Sequence, residues 1–225
     1  MEGTFIIPGI RHRIGRPVMR KTIVVTGTDT DIGKTVFAAG LTKALGASYW
    51  KPVQAGLDDG TDSTRVSQLG VPASSVIREA YRLRTPCSPH RSAELDNVII
   101  NPASLALPQV TGPLVVEGAG GALVPVTREL LYADLFARWA APVVIVASTA
   151  LGTINHSLLT IEALRTRDVP ILGIAFIGNP QEDTEETICA IGSVRRLGRL
   201  PLLDPLDSES LAATFARCFA MDDFQ

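Results

Sequence analysis

The chain has 225 residues, 46% hydrophobic and 20% charged, and its 21 Lys and Arg against 23 Asp and Glu leave a net charge of -2. That length suits one sizeable α/β domain and is cramped for two, and the near-neutral balance excludes a broad basic surface for nucleic acid. No run of about 18 uninterrupted apolar residues is present to span a membrane, and three scattered cysteines make neither a disulfide framework nor a zinc site, so a cytoplasmic protein is expected.

Residues 1–18 contain arginines but no apolar segment of the secretory-signal kind, and Met19 stands just before the first strand pattern. An N-terminal extension over 1–18, disordered or outside the fold, is expected ahead of one domain over 19–225. Thr22-Ile23-Val24-Val25-Thr26 then reads as a strand buried on both faces, and residues 36–45 read as a helix. Between them lies Gly27-Thr28-Asp29-Thr30-Asp31-Ile32-Gly33-Lys34-Thr35.

Strand, glycine-containing loop and helix start in that order make a cradle for polyphosphate. The loop backbone offers N–H groups, the helix N-terminus a positive dipole, and Lys34 a cation on a flexible stem. Thr35 adds a hydroxyl suited to Mg2+. The general motif has four residues between its first glycine and Gly-Lys-Thr, whereas five separate Gly27 from Gly33. A plain glycine-rich turn is the alternative, and the flanking strand and helix argue against it.

Residues 47–53 read as a short strand that delivers Lys51 and Pro52 to a loop, and 63–69 as a short helix after the acidic turn Asp58-Asp59-Gly60-Thr61-Asp62. Residues 70–97 read as irregular, punctuated by Pro72, Pro86 and Pro89. A buried strand over 113–117 stops in Gly118-Ala119-Gly120-Gly121, which places Glu117 at its end. Helices near 130–139, 153–166, 182–191 and 208–220 alternate with strands over 143–147 and 171–177 and one ending near Leu200. Such alternation implies an α/β fold with one mostly parallel sheet flanked by helices, with ligands gathering beyond the carboxyl ends of the strands. Lys51, Glu117, Gly152 and Asn179 then share the edge that carries the phosphate loop.

The loop, Lys51-Pro52-Val53-Gln54-Ala55-Gly56, Val116-Glu117-Gly118-Ala119-Gly120-Gly121 and Leu151-Gly152-Thr153-Ile154-Asn155-His156 occur in register. Together they resemble the dethiobiotin synthetase family, of the P-loop NTPase fold, across roughly residues 22–203, most weakly over 70–112. The five-residue loop spacing is this family's own. The resemblance implies an ATP-dependent ligase of biotin biosynthesis that uses 7,8-diaminopelargonate and CO2. A carbamate forms on one amine, ATP phosphorylates it, and the other amine closes the ureido ring.

The resemblance further implies that Lys34 and Lys51 stabilise the carbamate and the γ-phosphate, and that Thr35, Asp62 and Glu117 hold Mg2+. Nucleotide contacts carry over to Thr30, Asp31, Ile32, Gly33, Lys34 and Thr35, to Glu117, Gly118 and Gly120, and, around adenine, to Asn179, Pro201 and Leu202. Substrate contacts carry over to Thr30, Lys51 and Ala55 and to Gly152, Thr153 and Asn155, the last three from the partner subunit of a homodimer. Each has an ordinary alternative: Lys51 as a solvated surface lysine, Asp62 as one of three acidic turn residues, Asn155 as a helix cap, Asn179 and Pro201 as turn residues. Ser88-Pro89-His90 matches a family segment, and His90 is given no catalytic role. Ala55 departs from the family, which has Ser or Thr there, and the missing hydrogen bond is worth about 0.5 to 1.5 kcal/mol.

A nucleotide-dependent switch of the partition or division-site type is the strongest competing reading. Its loop carries a second lysine five residues before the first, where this chain has Asp29. An amidotransferase-type ligase would need a glutaminase domain for which the chain has no room.

Overall fold

The computed structural model describes residues 22–224, so the extension expected over residues 1–18 lies outside the described residues. In chain order the first half comprises β1 (Thr22–Gly27), α1 (Lys34–Leu45), β2 (Ser48–Trp50), β3 (Val53–Ala55), α2 (Asp62–Gln68), β4 (Val76–Ile77), β5 (Tyr81–Leu83) and α3 (Pro89–Leu95). The second comprises β6 (Leu114–Gly121), α4 (Tyr132–Trp139), β7 (Val143–Ser148), α5 (Thr153–Arg165), β8 (Ile171–Ile177), α6 (Glu182–Gly192), β9 (Arg196–Leu200) and α7 (Ser208–Cys218).

Among the described residues seven strands form one sheet in the order β4-β2-β6-β1-β7-β8-β9, and its pairings are parallel. Strand β1 lies centrally, between β6 and β7. Side chains alternate across the sheet. Val24, Trp50, Val116 and Ile145 enter one apolar layer together with Tyr132 and Phe136 of α4. Ile23, Val25, Tyr49 and Val115 enter the other, against Phe37 of α1 and Phe215 of α7. Helices α1 and α7 touch closely because Gly40 has no side chain: a Cβ there would stand 2.3 Å from Phe215 Cδ2.

The predicted strand over 47–53 divides at Pro52, whose missing N–H interrupts the ladder. Its first half is β2; its second, β3, pairs with β5 in a separate two-stranded ribbon. The stretch read as irregular, 70–97, holds β4, β5 and α3. Strands of two and three residues are too short to show an alternation. Pro89 starts α3 rather than breaking it, because a helix's first position has no use for an N–H.

Helix α7 is capped by Asp207, whose carboxylate accepts from the backbone N–H of Ser210 at 2.8 Å and of Glu209 at 3.0 Å. The Ser210 N–H, above all, holds this carboxyl below its ordinary value of 3.8. A depressed acid contributes stability above its unfolded value and loses it as pH falls through the folded one. Thermal melts of Asp207→Ala are therefore expected to lie below the unsubstituted protein at pH 7, with the deficit narrowing as pH drops below 3.8. A deficit independent of pH would show that the carboxylate does not cap the helix.

Candidate active site

The loop between β1 and α1 closes through Gly33, whose φ of 91° lies in the left-handed region that only glycine adopts at no cost. Its neighbours Thr30 and Asp31 are exposed, Ile32 is half-buried against the α1 layer, and Lys34 turns inward to donate to the Asp29 carbonyl oxygen. Burial lowers the Lys34 pKa and the nearby Lys51 adds to that, while Glu117 and Asp62 oppose it.

Thr35, one residue into α1, places Oγ1 at 2.8 Å from both Asp62 Oδ1 and Glu117 Oε1. One hydroxyl has a single proton and cannot donate to both carboxylates at once. The other side of the pair is held by Lys51, whose Nζ lies 2.6 Å from Asp62 Oδ2 and 3.2 Å from Glu117 Oε1. Lys51 also donates to the Gly118 carbonyl oxygen at 3.3 Å. Burial alone would lower the Lys51 pKa, but Glu117 and Asp62 together outweigh it, and the ammonium is held well above its ordinary range. Asp62 moves the opposite way: burial would raise it, and the Lys51 charge and the Lys51 and Thr35 hydrogen bonds carry it down.

Strand geometry explains the convergence. Tyr49 pairs in register with Val115, and period two then sends Lys51 and Glu117 to the same face of the sheet as Tyr49 and Val115. That face is the one α1 covers, so Thr35 meets them at the carboxyl edge. Two further side chains complete the cluster. The Tyr49 hydroxyl donates to Glu117 Oε2 at 2.8 Å; burial first, then Glu117, raises its pKa well above the ordinary value, so it stays a donor. Gln54 Oε1 accepts from the Asp62 backbone N–H at 3.1 Å and fixes the start of α2. Neither was singled out in the sequence, because each acts across a gap between elements that no local pattern encodes.

A cleft of about 860 Å3 opens over these groups. It brings together Thr30, Asp31, Gly33, Lys34, Thr35, Lys51, Ala55, Asp62, Glu117 and Gly120, and is lined as well by Pro86, Cys87, Ser88 and Pro89. Gly152, Thr153, Asn155, Asn179 and Leu202 lie elsewhere, around a second cavity of about 1010 Å3 between the ends of β7 and β8. Pro201 is half-buried beside Leu202 and lines neither space. The two regions adjoin: His156 Nδ1, in the first turn of α5, lies 3.8 Å from the Asp29 carboxylate of the loop. Thr35, Asp62 and Glu117 supply the hard oxygen donors a small divalent cation takes, with the over-subscribed hydroxyl between them.

Residues 21–210 match the family described as an AAA domain. An ATP-dependent dethiobiotin synthetase of Novosphingobium aromaticivorans is 67% identical over 202 residues, covering 89% of this chain and 98% of its own length. The protein of the same name from Rhizorhabdus wittichii is 65% identical over 207 residues, covering 92% and 99%. Among solved structures, a ParA family ATPase from Chlorobium tepidum superposes with a TM-score of 0.53 at 14% identity, over 88% of this chain and 91% of its own. The cell division ATPase MinD of Pyrococcus furiosus gives 0.52 at 13%, over 88% and 96%. At that identity the two show the fold alone.

Lys51 is the ammonium shared by the two carboxylates, so Lys51→Met is expected to cost about 3 to 5 kcal/mol, the usual penalty for stranding a buried charge. Urea unfolding of the purified variant measures it. A loss below about 1 kcal/mol would mean that the pair is as weakly coupled as one on an open surface.

Proposed function

We propose that this chain, which belongs to the family of ATP-dependent dethiobiotin synthetases, closes the ureido ring of dethiobiotin at the cleft over the phosphate loop. It is an ATP-dependent ligase of biotin biosynthesis and takes 7,8-diaminopelargonate, CO2 and ATP to dethiobiotin, ADP and phosphate. The observation that carries the assignment to this cleft is the convergence of Lys34, Lys51, Thr35, Asp62 and Glu117 at one edge of the sheet.

Each step of the reaction forms or moves negative charge. One amine of the substrate adds to CO2 and loses a proton, giving a carbamate. A carbamate oxygen then attacks the γ-phosphorus as the bond to the ADP oxygen breaks. Finally the second amine attacks the carbonyl carbon, phosphate leaves with the bonding electron pair, and the ring closes with loss of a proton from nitrogen. The chain's contribution is to orient these anions and offset their charge, which commonly dominates phosphoryl transfer.

In this reading Lys34 leaves the Asp29 carbonyl for the β- and γ-phosphates. Lys51, kept charged by its carboxylate partners, faces the carbamate and the transferring phosphoryl group. Thr30, Asp31, Ile32 and Gly33 wrap the phosphates with Gly118 and Gly120 behind them, while Asn179, Pro201 and Leu202 border the adenine. Thr35, Asp62 and Glu117 would hold Mg2+, which would supply positive charge to offset the negative charge developing on the phosphoryl group. Thr30, Lys51 and Ala55 receive the diamine end of the substrate. The enzyme works in the cytoplasm, and no described helix is long and apolar enough to cross a membrane.

Its carboxylate is met by Gly152, Thr153 and Asn155 at the N-terminus of α5 from a second copy of the chain, since these residues line a space separate from their own cleft. A switch ATPase shares the sheet but needs a loop lysine where Asp29 stands. Purified protein is expected to release ADP only with diaminopelargonate, bicarbonate and Mg2+ all present, and Lys51→Ala is expected to stop product formation while still binding nucleotide. Equal ATP turnover without the diamine would overturn the ligase reading. Serial dilution should lower specific activity in step with loss of the dimer by sedimentation; a fully active monomer would remove the shared site.

A further inference from the structure

We infer that Tyr49 is a positioning residue for the nucleotide site: its buried phenol anchors one oxygen of Glu117 so that the other stays turned to Thr35 and Lys51. The inference rests on the proposed reading of Thr35, Asp62 and Glu117 as the cation-holding set, and adds a residue that lines neither cavity.

Glu117 is 1% exposed and Tyr49 fully buried, so water does not compete for the carboxylate from that side. Glu117 Oε2 accepts from the Tyr49 hydroxyl at 2.8 Å, while Oε1 faces Thr35 at 2.8 Å and Lys51 at 3.2 Å. The division of labour is complete: one oxygen is given to the core, the other to the cleft. A glutamate's last torsion is broad and roughly two-fold. Without the phenol the carboxylate plane could turn, and either oxygen could swing away from the cleft.

The reach of the ring follows from the sheet. Tyr49 lies opposite Val115 on the neighbouring strand, and Glu117 is the next residue of that strand on the same face. A diagonal neighbour at this spacing is within range of an aromatic side chain. Ring packing alone does not call for the hydroxyl, because phenylalanine would fill the same layer beside Phe37. A buried phenol usually finds a partner, and at Tyr49 that partner is the carboxylate. Tyr132 provides the contrast, since its hydroxyl is equally buried and makes no hydrogen bond.

The decisive experiment is a manganese(II) titration followed by electron paramagnetic resonance, with ADP bound to the unsubstituted protein, Tyr49→Phe and Tyr132→Phe. Outer partners of metal-holding groups typically change metal affinity 10- to 100-fold, so Tyr49→Phe is expected to weaken Mn2+ binding about tenfold and Tyr132→Phe to leave it unchanged. ADP affinity in EDTA should match between the two variants, while Tyr49→Phe, which leaves a buried carboxylate oxygen without its donor, should melt below Tyr132→Phe. In turnover, the KM for Mg2+ should rise for Tyr49→Phe while that for the diamine stays put. Mn2+ affinity within about twofold of the unsubstituted protein, well short of the usual range, would overturn the inference. An equal loss of metal-free ADP binding would overturn it in favour of a packing role. If the unsubstituted protein gathers no Mn2+ with ADP, the cation-holding set itself is wrong, and this inference falls with it.

Discussion

The ammonium of Lys51 sits 2.6 Å from Asp62 and 3.2 Å from Glu117, with Glu117 almost fully out of water, and the cleft is built around that balance. Charges at such distances in a poorly solvated place interact strongly, and removing one leaves the others unpaired. Lys34 and Lys51 formally offset Asp62 and Glu117, while Asp31 and Asp59 on the cleft wall add two further negative charges. A divalent cation would cancel that excess where the proposed polyphosphate lies. The arrangement is therefore ready for nucleotide and metal together, and less suited to either by itself.

Everything that places this cluster is a consequence of strand periodicity and one short loop. Tyr49 and Lys51 share a face of β2, Val115 and Glu117 share the matching face of β6, and α1 brings Thr35 over both. Strand β1 between β6 and β7 sets the phosphate loop at the point where the chain's connections run to opposite sides of the sheet, where parallel sheets collect ligands. The fold is shared with a ParA family ATPase and the cell division ATPase MinD at 14 and 13% identity. The proposed chemistry thus rests on residues at the edge: Thr35 in α1, Lys51 after β2, Asp62 at the start of α2.

Much of this was legible in the sequence. The strands 22–26, 143–147 and 171–177 are long β-branched or apolar runs, and each appears within a residue or so of its expected bounds. Lys51 follows β2 and Asp62 opens α2, whereas Glu117, expected at a strand end, lies within β6, which runs on through Gly118 to Gly121, and the structure brings all three into one cleft. What was not legible is of a different kind. The ribbon of β3 and β5 depends on Pro52 ending one ladder and a distant triplet starting another. Tyr49 reads as a core aromatic until its hydroxyl is seen 2.8 Å from Glu117, and Gln54 reads as a loop residue until it is seen holding the N–H of Asp62. Contacts of this sort join residues whose separation in sequence carries no period.

The division of the edge into two spaces bears on how a bifunctional substrate is held. The cleft over the phosphate loop has charged groups of both signs, suited to amines and phosphates, while the second cavity is bordered by the first turn of α5, a helix start of the kind that receives anions. A substrate with amines at one end and a carboxylate at the other needs both kinds of surface, apart by the length of its carbon chain. Within one chain His156 Nδ1 lies 3.8 Å from the Asp29 carboxylate, so the start of α5 borders the phosphate loop. Anchoring the carboxylate on the same helix start of another copy would meet both needs without moving either element, which is the geometric argument for the proposed dimer.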